Sequence, residues 1–150
     1  MKNKKKDKIN LKYIPNKLSR KDKKKQYKEL MKSKKMYKKD KYYIRKKIKG
    51  YKTKKSKHKN KFMKMYNLKS NELNLSRISK KTRCNKKGLK KIINKGMGAY
   101  FSSGSRPNQT PHSWGMARLY SALTNGPSAV IDKNILINNC HKQSKALAGL

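Results

Sequence analysis

Lysine and arginine are the residues of this chain best suited to chemistry, and their chemistry is the binding of a polyanion. Forty of the forty-five lie in residues 1–95, which carry a net charge of +35, whereas residues 96–150 carry +4. Such side chains gain affinity for phosphate polymers by releasing condensed counterions. A drift in composition toward lysine is the plainer explanation, but it does not account for only six acidic residues. The pattern indicates a nucleic-acid partner.

Other partners have less support. The basic segment lacks a strong apolar face with Trp or Phe anchors, so we do not expect a membrane surface as the partner. No apolar run approaches the length of a membrane span, and the first residues are too charged for a secretory signal. Cys84 and Cys140 cannot make a disulfide framework, and neither lies in a Cys-x-x-Cys pair. A reducing compartment is therefore the default expectation.

Residues for catalysis or metal binding are few. The three histidines, at positions 58, 112 and 141, are scattered along the chain. After residue 40 only Glu72 and Asp132 are acidic, which is too few for the carboxylate sets that hold Mg²⁺ in nucleases. A zinc site has no adequate ligand set. We expect no enzyme, and therefore no catalytic residue, metal or cofactor.

One loop could hold a phosphate. Its members are small hydrogen-bonding residues followed by a guanidinium: Ser102, Ser103, Gly104, Ser105 and Arg106. Free backbone amides and the Arg106 side chain would converge there, before the N-terminus of a helix that starts at Pro111. It is not a Walker A loop, because it lacks the Gly-Lys-Ser/Thr ending. The alternative is an ordered loop in which Arg106 donates to carbonyl groups.

Residues 74–95 predict a helix-turn-helix. Leu75 and Ile78 share one face of a first helix, and Asn85 would cap a second. Ser79 is the small residue where the helices cross, a tight turn falls near Arg83, and Cys84 would plug the corner. The second helix would present lysines to a groove, namely Lys86, Lys87, Lys90 and Lys91. The alternative is two packed amphipathic helices that enter no groove.

The remaining segments predict further helices. Ser19 and Asp22 form a capping-box pattern, and Ser56 would cap a helix bearing Phe62 and Tyr66. Gly96 would end the second helix of residues 74–95. A C-terminal helix from Pro111 carries the single Trp. Aromatics among the lysines either stack on bases of a single strand or fill a small core. These aromatic residues are Tyr37, Tyr42, Tyr51, Phe62 and Tyr66.

These elements predict a mainly α fold: a helix-turn-helix-like core with a Trp-bearing C-terminal helix and a lysine-rich, partly disordered start. A small α+β arrangement, with one short β-ribbon in residues 42–52, is the alternative. Charge divides the chain into a basic flexible arm at 1–18, a lysine-rich helical region at 19–95 and a near-neutral compact module at 96–150.

Two strings carry a family resemblance. GAYFSSGSRPNQT at 98–110 and SWGxARL at 113–119 resemble the signature of an uncharacterised, lysine-rich domain family of large DNA viruses, the giant viruses and their algal relatives. The resemblance extends from about Tyr13 to Leu136. Phe101 stands where Tyr is more usual and Arg83 where Gly is more usual. The family is a domain of unknown function, so the resemblance implies a viral setting and no activity.

Together these observations predict a non-enzymatic viral nucleic-acid-binding protein, associated with the genome or virion. DNA is favoured over RNA as the partner, and the location is the virion, a viral factory or the host nucleus. The first alternative is a virion structural or adaptor protein that binds capsid or core proteins through residues 96–150. The second is a nuclease or nucleotide-handling enzyme that uses the loop from Ser102 to Arg106.

Overall fold

The computed structural model describes residues 9–52 and 56–150 and confirms a mainly α fold. In this part of the chain there are seven α-helices, three 3₁₀ turns and no β-strand. The α-helices are α1 (Arg20–Tyr37), α2 (Lys57–Tyr66), α3 (Leu75–Thr82), α4 (Lys86–Ser102), α5 (Pro111–Leu123), α6 (Pro127–Ile131) and α7 (Lys133–Asn139). The 3₁₀ turns are Leu11–Tyr13, Ser70–Glu72 and Lys145–Leu147.

Local capping chemistry sets the predicted helix starts. The Ser19 hydroxyl accepts the backbone N–H of Asp22 at 3.1 Å, and α1 begins at Arg20, directly after this serine. The Ser56 hydroxyl accepts the N–H of His58 at 3.2 Å at the start of α2. Each serine satisfies a donor that the first helical turn leaves without an intrahelical partner. Both predicted N-termini are confirmed, as is the Trp114-bearing helix from Pro111.

The chain divides by contact into two units. Among the described residues, the first comprises 9–52 and 98–111, and the second comprises 56–97 and 112–150. The division by charge into 1–18, 19–95 and 96–150 is a separate prediction, which this grouping does not test. Residues 1–8 of the predicted arm lie outside the described residues. Helix α4 contributes to both units, because its residues up to Met97 belong to the second and those after it to the first.

The second unit has an apolar core formed by α2, α3, α4, α5 and α7. Phe62 is fully buried and its ring lies 5.0 Å from that of Tyr66 and 4.9 Å from that of Tyr120. Fully burying one such side chain contributes about 1.5–3 kcal/mol. The Tyr66 hydroxyl donates to the carbonyl of Leu123 at 2.6 Å, and burial raises its pKa. For Phe62 and Tyr66, the core alternative is therefore correct.

The first unit is organised around a buried arginine. The Arg45 side chain is 7% exposed, and its guanidinium lies 3.8 Å from the centre of the Tyr100 ring. It donates to the Tyr100 carbonyl at 2.7 Å, the Ser33 hydroxyl at 2.9 Å and the Ser105 hydroxyl at 2.6 Å. Burial lowers the pKa of this guanidinium, but an arginine keeps its proton in a protein. The three acceptors compensate the cost of burying the charge.

The alternative of a β-ribbon in residues 42–52 is wrong. Residues 41–48 form neither helix nor strand, and the described residues place no strand beside them. Side chains instead accept the backbone N–H groups that a second strand would pair. These bonds are Arg45 N–H to Tyr100 Oη (3.0 Å), Lys46 N–H to Glu29 Oε2 (3.2 Å) and Ile48 N–H to Asn108 Oδ1 (2.7 Å).

The predicted helix end at Gly96 is also wrong, because α4 continues to Ser102. A Cβ atom on Gly96 would lie 2.6 Å from the Cα of Gly115 in α5, which is closer than real Cβ contacts. The glycine therefore serves a close crossing of α4 and α5 and not a helix terminus. Tertiary packing overrides its low helix propensity.

This crossing predicts that alanine substitution has opposite effects on the free energy of unfolding at two glycines of α4. Gly96→Ala should lower the free energy of unfolding, because overpacking costs about 1–3 kcal/mol. Gly98→Ala is the matched control, since a Cβ there would meet nothing within 4 Å. Its expected effect is a gain of about 0.5–1 kcal/mol from helix propensity. Urea denaturation followed by circular dichroism measures both, and equal effects would contradict the close crossing.

Candidate nucleic-acid interface

The structure has the two predicted helices, α3 and α4, joined by a tight turn. Arg83 has a left-handed backbone with φ of 57°, which is where the tight turn was predicted. The Ser79 hydroxyl donates to the carbonyl of Cys84 at 2.6 Å and so joins α3 to the residue after the turn. Asn85 accepts the N–H of Gly88 at 2.9 Å and caps α4. Cys84 is buried at the corner, as predicted.

Cys84 is not a lone plug, however, because it forms a disulfide with Cys140 (S–S 2.04 Å). This corrects the interpretation of Cys84 as an unpaired buried residue. The two are 56 positions apart, and they meet because Cys140 directly follows α7. No local pattern carries that contact, so the sequence alone could not reveal it.

A C-terminal segment, residues 139–145, clamps the turn; we name it the strap. The N–H of Asn85 donates to the Asn139 carbonyl at 2.8 Å, and the N–H of His141 donates to the Arg83 carbonyl at 2.7 Å. Farther along, the Ser144 hydroxyl donates to the carbonyl of Thr82, the last residue of α3. The left-handed Arg83 is thus held by backbone bonds from the strap, which offset the strain of that conformation.

Helix α4 presents the predicted lysines to solvent. Lys86, Lys87, Lys90 and Lys91 are all exposed. Spacings of one and four residues place them on a single side of the helix. The opposite side carries Leu89, Ile92 and Ile93, which are buried in the core of the second unit. Lys86 and Lys87 also lie in the first turn of α4, where the helix dipole adds positive potential.

Counter-charge is present farther along the same helix. The buried carboxylate of Asp132 accepts two bonds from Arg118, at 2.8 and 2.9 Å, and lies 3.8 Å from the Lys95 ammonium. Within the described ranges no carboxylate forms an ion pair with the four predicted lysines. The first half of α4 is therefore the part of the helix whose positive charge has no carboxylate partner among the described residues.

The predicted phosphate loop, from Ser102 to Arg106, differs from the expected geometry. The N–H groups of Ser103 and Gly104 both donate to the carbonyl of Ala99, at 2.9 and 3.0 Å, and thereby cap the end of α4. The guanidinium that reaches the loop is that of Arg45, which donates to the buried Ser105 hydroxyl. These groups are committed to internal bonds and are not a free cradle of amides.

Arg106 itself is exposed, as is Ser102. Arg106 belongs to the first unit, whereas the four lysines of α4 belong to the second. The structure thus brings the four lysines together on one helix face. The contribution of Arg106 to phosphate binding stays a prediction of its own.

Sequence reasoning missed a cavity of about 320 Å³ in the second unit. Three cationic side chains line it, from Lys81, Arg83 and Lys145. Arg83 donates to Gln143 at 3.0 Å, and the Lys145 ammonium donates to the Met65 carbonyl at 3.0 Å in the last turn of α2. Helix C-termini attract cations, so these contacts partly serve the helix ends. Lys145 is distant in sequence from the other two, which is why no spacing pattern marks the cavity.

Nowhere in 9–52 or 56–150 do three or more His, Cys, Asp or Glu side chains come together in a way that could hold a metal ion. None of the helices in those ranges is long and apolar enough to cross a membrane.

Comparison with known proteins identifies one relationship. A family model described as "Family of unknown function (DUF5824)" matches residues 10–135. No curated protein and no solved structure matches the chain. The matched range includes α3, the turn and α4, and it ends before Cys140 and the strap.

The disulfide predicts a redox-dependent stability for the second unit. Reduction should lower its free energy of unfolding by about 4 kcal/mol, because the cross-link closes a loop of more than fifty residues. Urea titrations with and without a phosphine reductant, followed by Trp114 fluorescence, measure the change. A Cys84→Ala, Cys140→Ala double variant is the control and should not respond to reductant. Alkylation of both cysteines in the unreduced protein would contradict the pairing.

Proposed function

The chain belongs to the family of unknown function DUF5824, and from this premise we propose that it is a non-enzymatic nucleic-acid-binding protein. The family description supplies no activity, so the proposal rests on charge and its placement. A net charge of +39 on 150 residues gives a strong, long-range attraction for phosphate polymers. The exposed lysine face of α4 is the observation that carries it.

Duplex DNA is the proposed partner of that face. An α-helix fits the major groove of B-DNA, and in helix-turn-helix proteins the second helix enters it with its N-terminal residues. The four lysines occupy that half of α4 and would contact phosphates at the groove edge. Lysine is a point charge with little base selectivity, so the binding would be largely independent of sequence. Exposed lysines on α2, which belongs to the same unit, would extend the contact.

The setting that we propose is a large DNA virus, in its virion, viral factory or host nucleus. The resemblance of the strings at 98–110 and 113–119 to lysine-rich viral proteins supports it. A virus with a large genome must neutralise and compact DNA within a capsid, and a cationic protein with few acidic residues suits that task.

The electrostatic mechanism predicts a steep salt dependence. With about eight phosphates neutralised, the slope of log affinity against log salt should be about −7. Fluorescence anisotropy with a labelled 20-base-pair duplex, over a series of NaCl concentrations, measures it. Lys86→Gln with Lys90→Gln should make the slope shallower by about 2, because two phosphate contacts are removed.

A matched control tests whether the lysines of α4 contribute more to DNA binding than other exposed lysines of the second unit. Lys133→Gln with Lys142→Gln removes the same charge from exposed positions elsewhere in the second unit. This pair should change the slope by less than half as much as the α4 pair. Equal effects would place the contact outside α4, and a wild-type slope shallower than about −2 would contradict polyanion binding altogether.

A second candidate function is that of an adaptor to virion proteins through residues 96–150. Val130 and Ile131 of α6 are 73% and 68% exposed, and Ile137 of α7 is 49% exposed. Exposed aliphatic side chains on neighbouring short helices are typical of protein-contact surfaces when they are contiguous. The near-neutral charge of this part of the chain favours a protein over a nucleic acid as its partner.

The adaptor function predicts that Val130→Asp with Ile131→Asp abolishes a protein contact and leaves DNA affinity within twofold. Co-precipitation of the full chain with purified virion proteins, after nuclease digestion, measures the contact. Lys133→Gln is the control, since it alters a neighbouring exposed position without changing the apolar side chains. Unchanged co-precipitation by the Asp variant would rule out this surface.

A further inference from the structure

The first unit displays apolar side chains on a segment outside the helices, residues 41–49, which we name the strip. Tyr42 is 69% exposed and Ile44 is 62% exposed, although both are large apolar residues. Arg45 and Ile48 of the same segment are buried. The segment therefore combines buried residues that anchor it with large apolar residues that it displays to solvent.

Hydrogen bonds of the strip to the rest of the first unit order the backbone that carries Tyr42 and Ile44. Arg45 is held by its three guanidinium bonds and its stacking on Tyr100, and the backbone N–H groups of Arg45, Lys46 and Ile48 are bonded to side chains of the first unit. The side-chain amide of Asn108 donates hydrogen bonds to the carbonyls of Ile48 and Tyr51, at 3.2 and 2.8 Å. Tyr42 and Ile44 are thus displayed from a backbone that is already ordered.

Ring contacts hold Tyr42 while leaving it accessible. Its ring centre lies 5.2 Å from that of Phe101 and 6.2 Å from that of Tyr37, both at tilted angles. The two neighbouring rings therefore support the Tyr42 ring, and most of its surface stays open for stacking against another flat ring. Aromatic side chains of this kind stack on nucleobases, and the contact tolerates any sequence because every base has a π-face.

Charge around the strip favours a polyanion as the occupant. Asp40 is the one acidic residue between positions 37 and 52. Exposed lysines precede and follow the two apolar residues, namely Lys39, Lys41, Lys46, Lys47 and Lys49. An apolar peptide would have to desolvate these ammonium groups without compensation, whereas a phosphate backbone compensates them.

We propose that the strip is a binding site for single-stranded nucleic acid, in which Tyr42 stacks on a base and the flanking lysines contact phosphates. This rests on the proposed nucleic-acid function and adds a second mode to it. A duplex hides the faces of its bases, so Tyr42 distinguishes single strands from the duplex that α4 would contact. The chain would then hold both forms through different units.

Full-length variants test this inference. Tyr42→Ala should weaken binding of labelled dT20 about tenfold, within the range reported for loss of one base-stacking ring. Binding of a 20-base-pair duplex should change by less than twofold. Tyr42→Phe keeps the ring and should bind dT20 within twofold of wild type. Tyr27→Ala, at a half-exposed tyrosine of α1, is the matched control and should also stay within twofold.

The outcomes separate the two proposals. If the wild-type chain binds neither dT20 nor the duplex in dilute buffer, the proposed function fails. If it binds both and Tyr42→Ala changes dT20 binding by less than twofold, or weakens both equally, the strip inference is overturned and nucleic-acid binding stands. An rU20 arm establishes whether the strip prefers DNA or RNA. Circular dichroism of each variant verifies that the fold is kept.

Discussion

Repulsion among forty-five cationic side chains is the constraint on which the rest of this structure depends. Few carboxylates oppose it, and three of those described also fix the backbone or a buried charge. Glu29 accepts a backbone N–H from the strip, and Glu72 accepts the N–H of Lys69 at 3.2 Å. Asp132 is buried and binds Arg118 with both oxygens. These three carboxylates are therefore engaged in local contacts of the fold, while the four predicted lysines of α4 stay exposed.

Arginine and lysine have different tasks in this chain. Arg45 and Arg118 are each held by several bonds in fixed directions, which the planar guanidinium suits and an ammonium does not. The lysines of α4 and of the strip are instead exposed and have flexible stems. A fold that assigns directional contacts to arginine and surface charge to lysine can carry a large net charge and still have a defined core.

The sequence predicted what local chemistry decides. The serine caps, the left-handed turn at Arg83 and the exposed lysine face of α4 all follow from residues within one or two helical turns of each other. Contacts between distant residues were missed. The Cys84–Cys140 pair, the crossing at Gly96 and the role of Arg45 beside Ser105 each join segments that are 19 or more positions apart. In each case a distant partner overrode the local signal, such as the helix end expected at Gly96.

The strap has a consequence for biosynthesis. Every group by which it closes the turn, from Asn139 to Ser144, is translated after both helices that the turn joins. The second unit therefore cannot complete its fold until the ribosome has released this late segment. The Cys84–Cys140 pair, too, can form only after Cys140 has been translated, so the covalent link to the turn follows the synthesis of both helices.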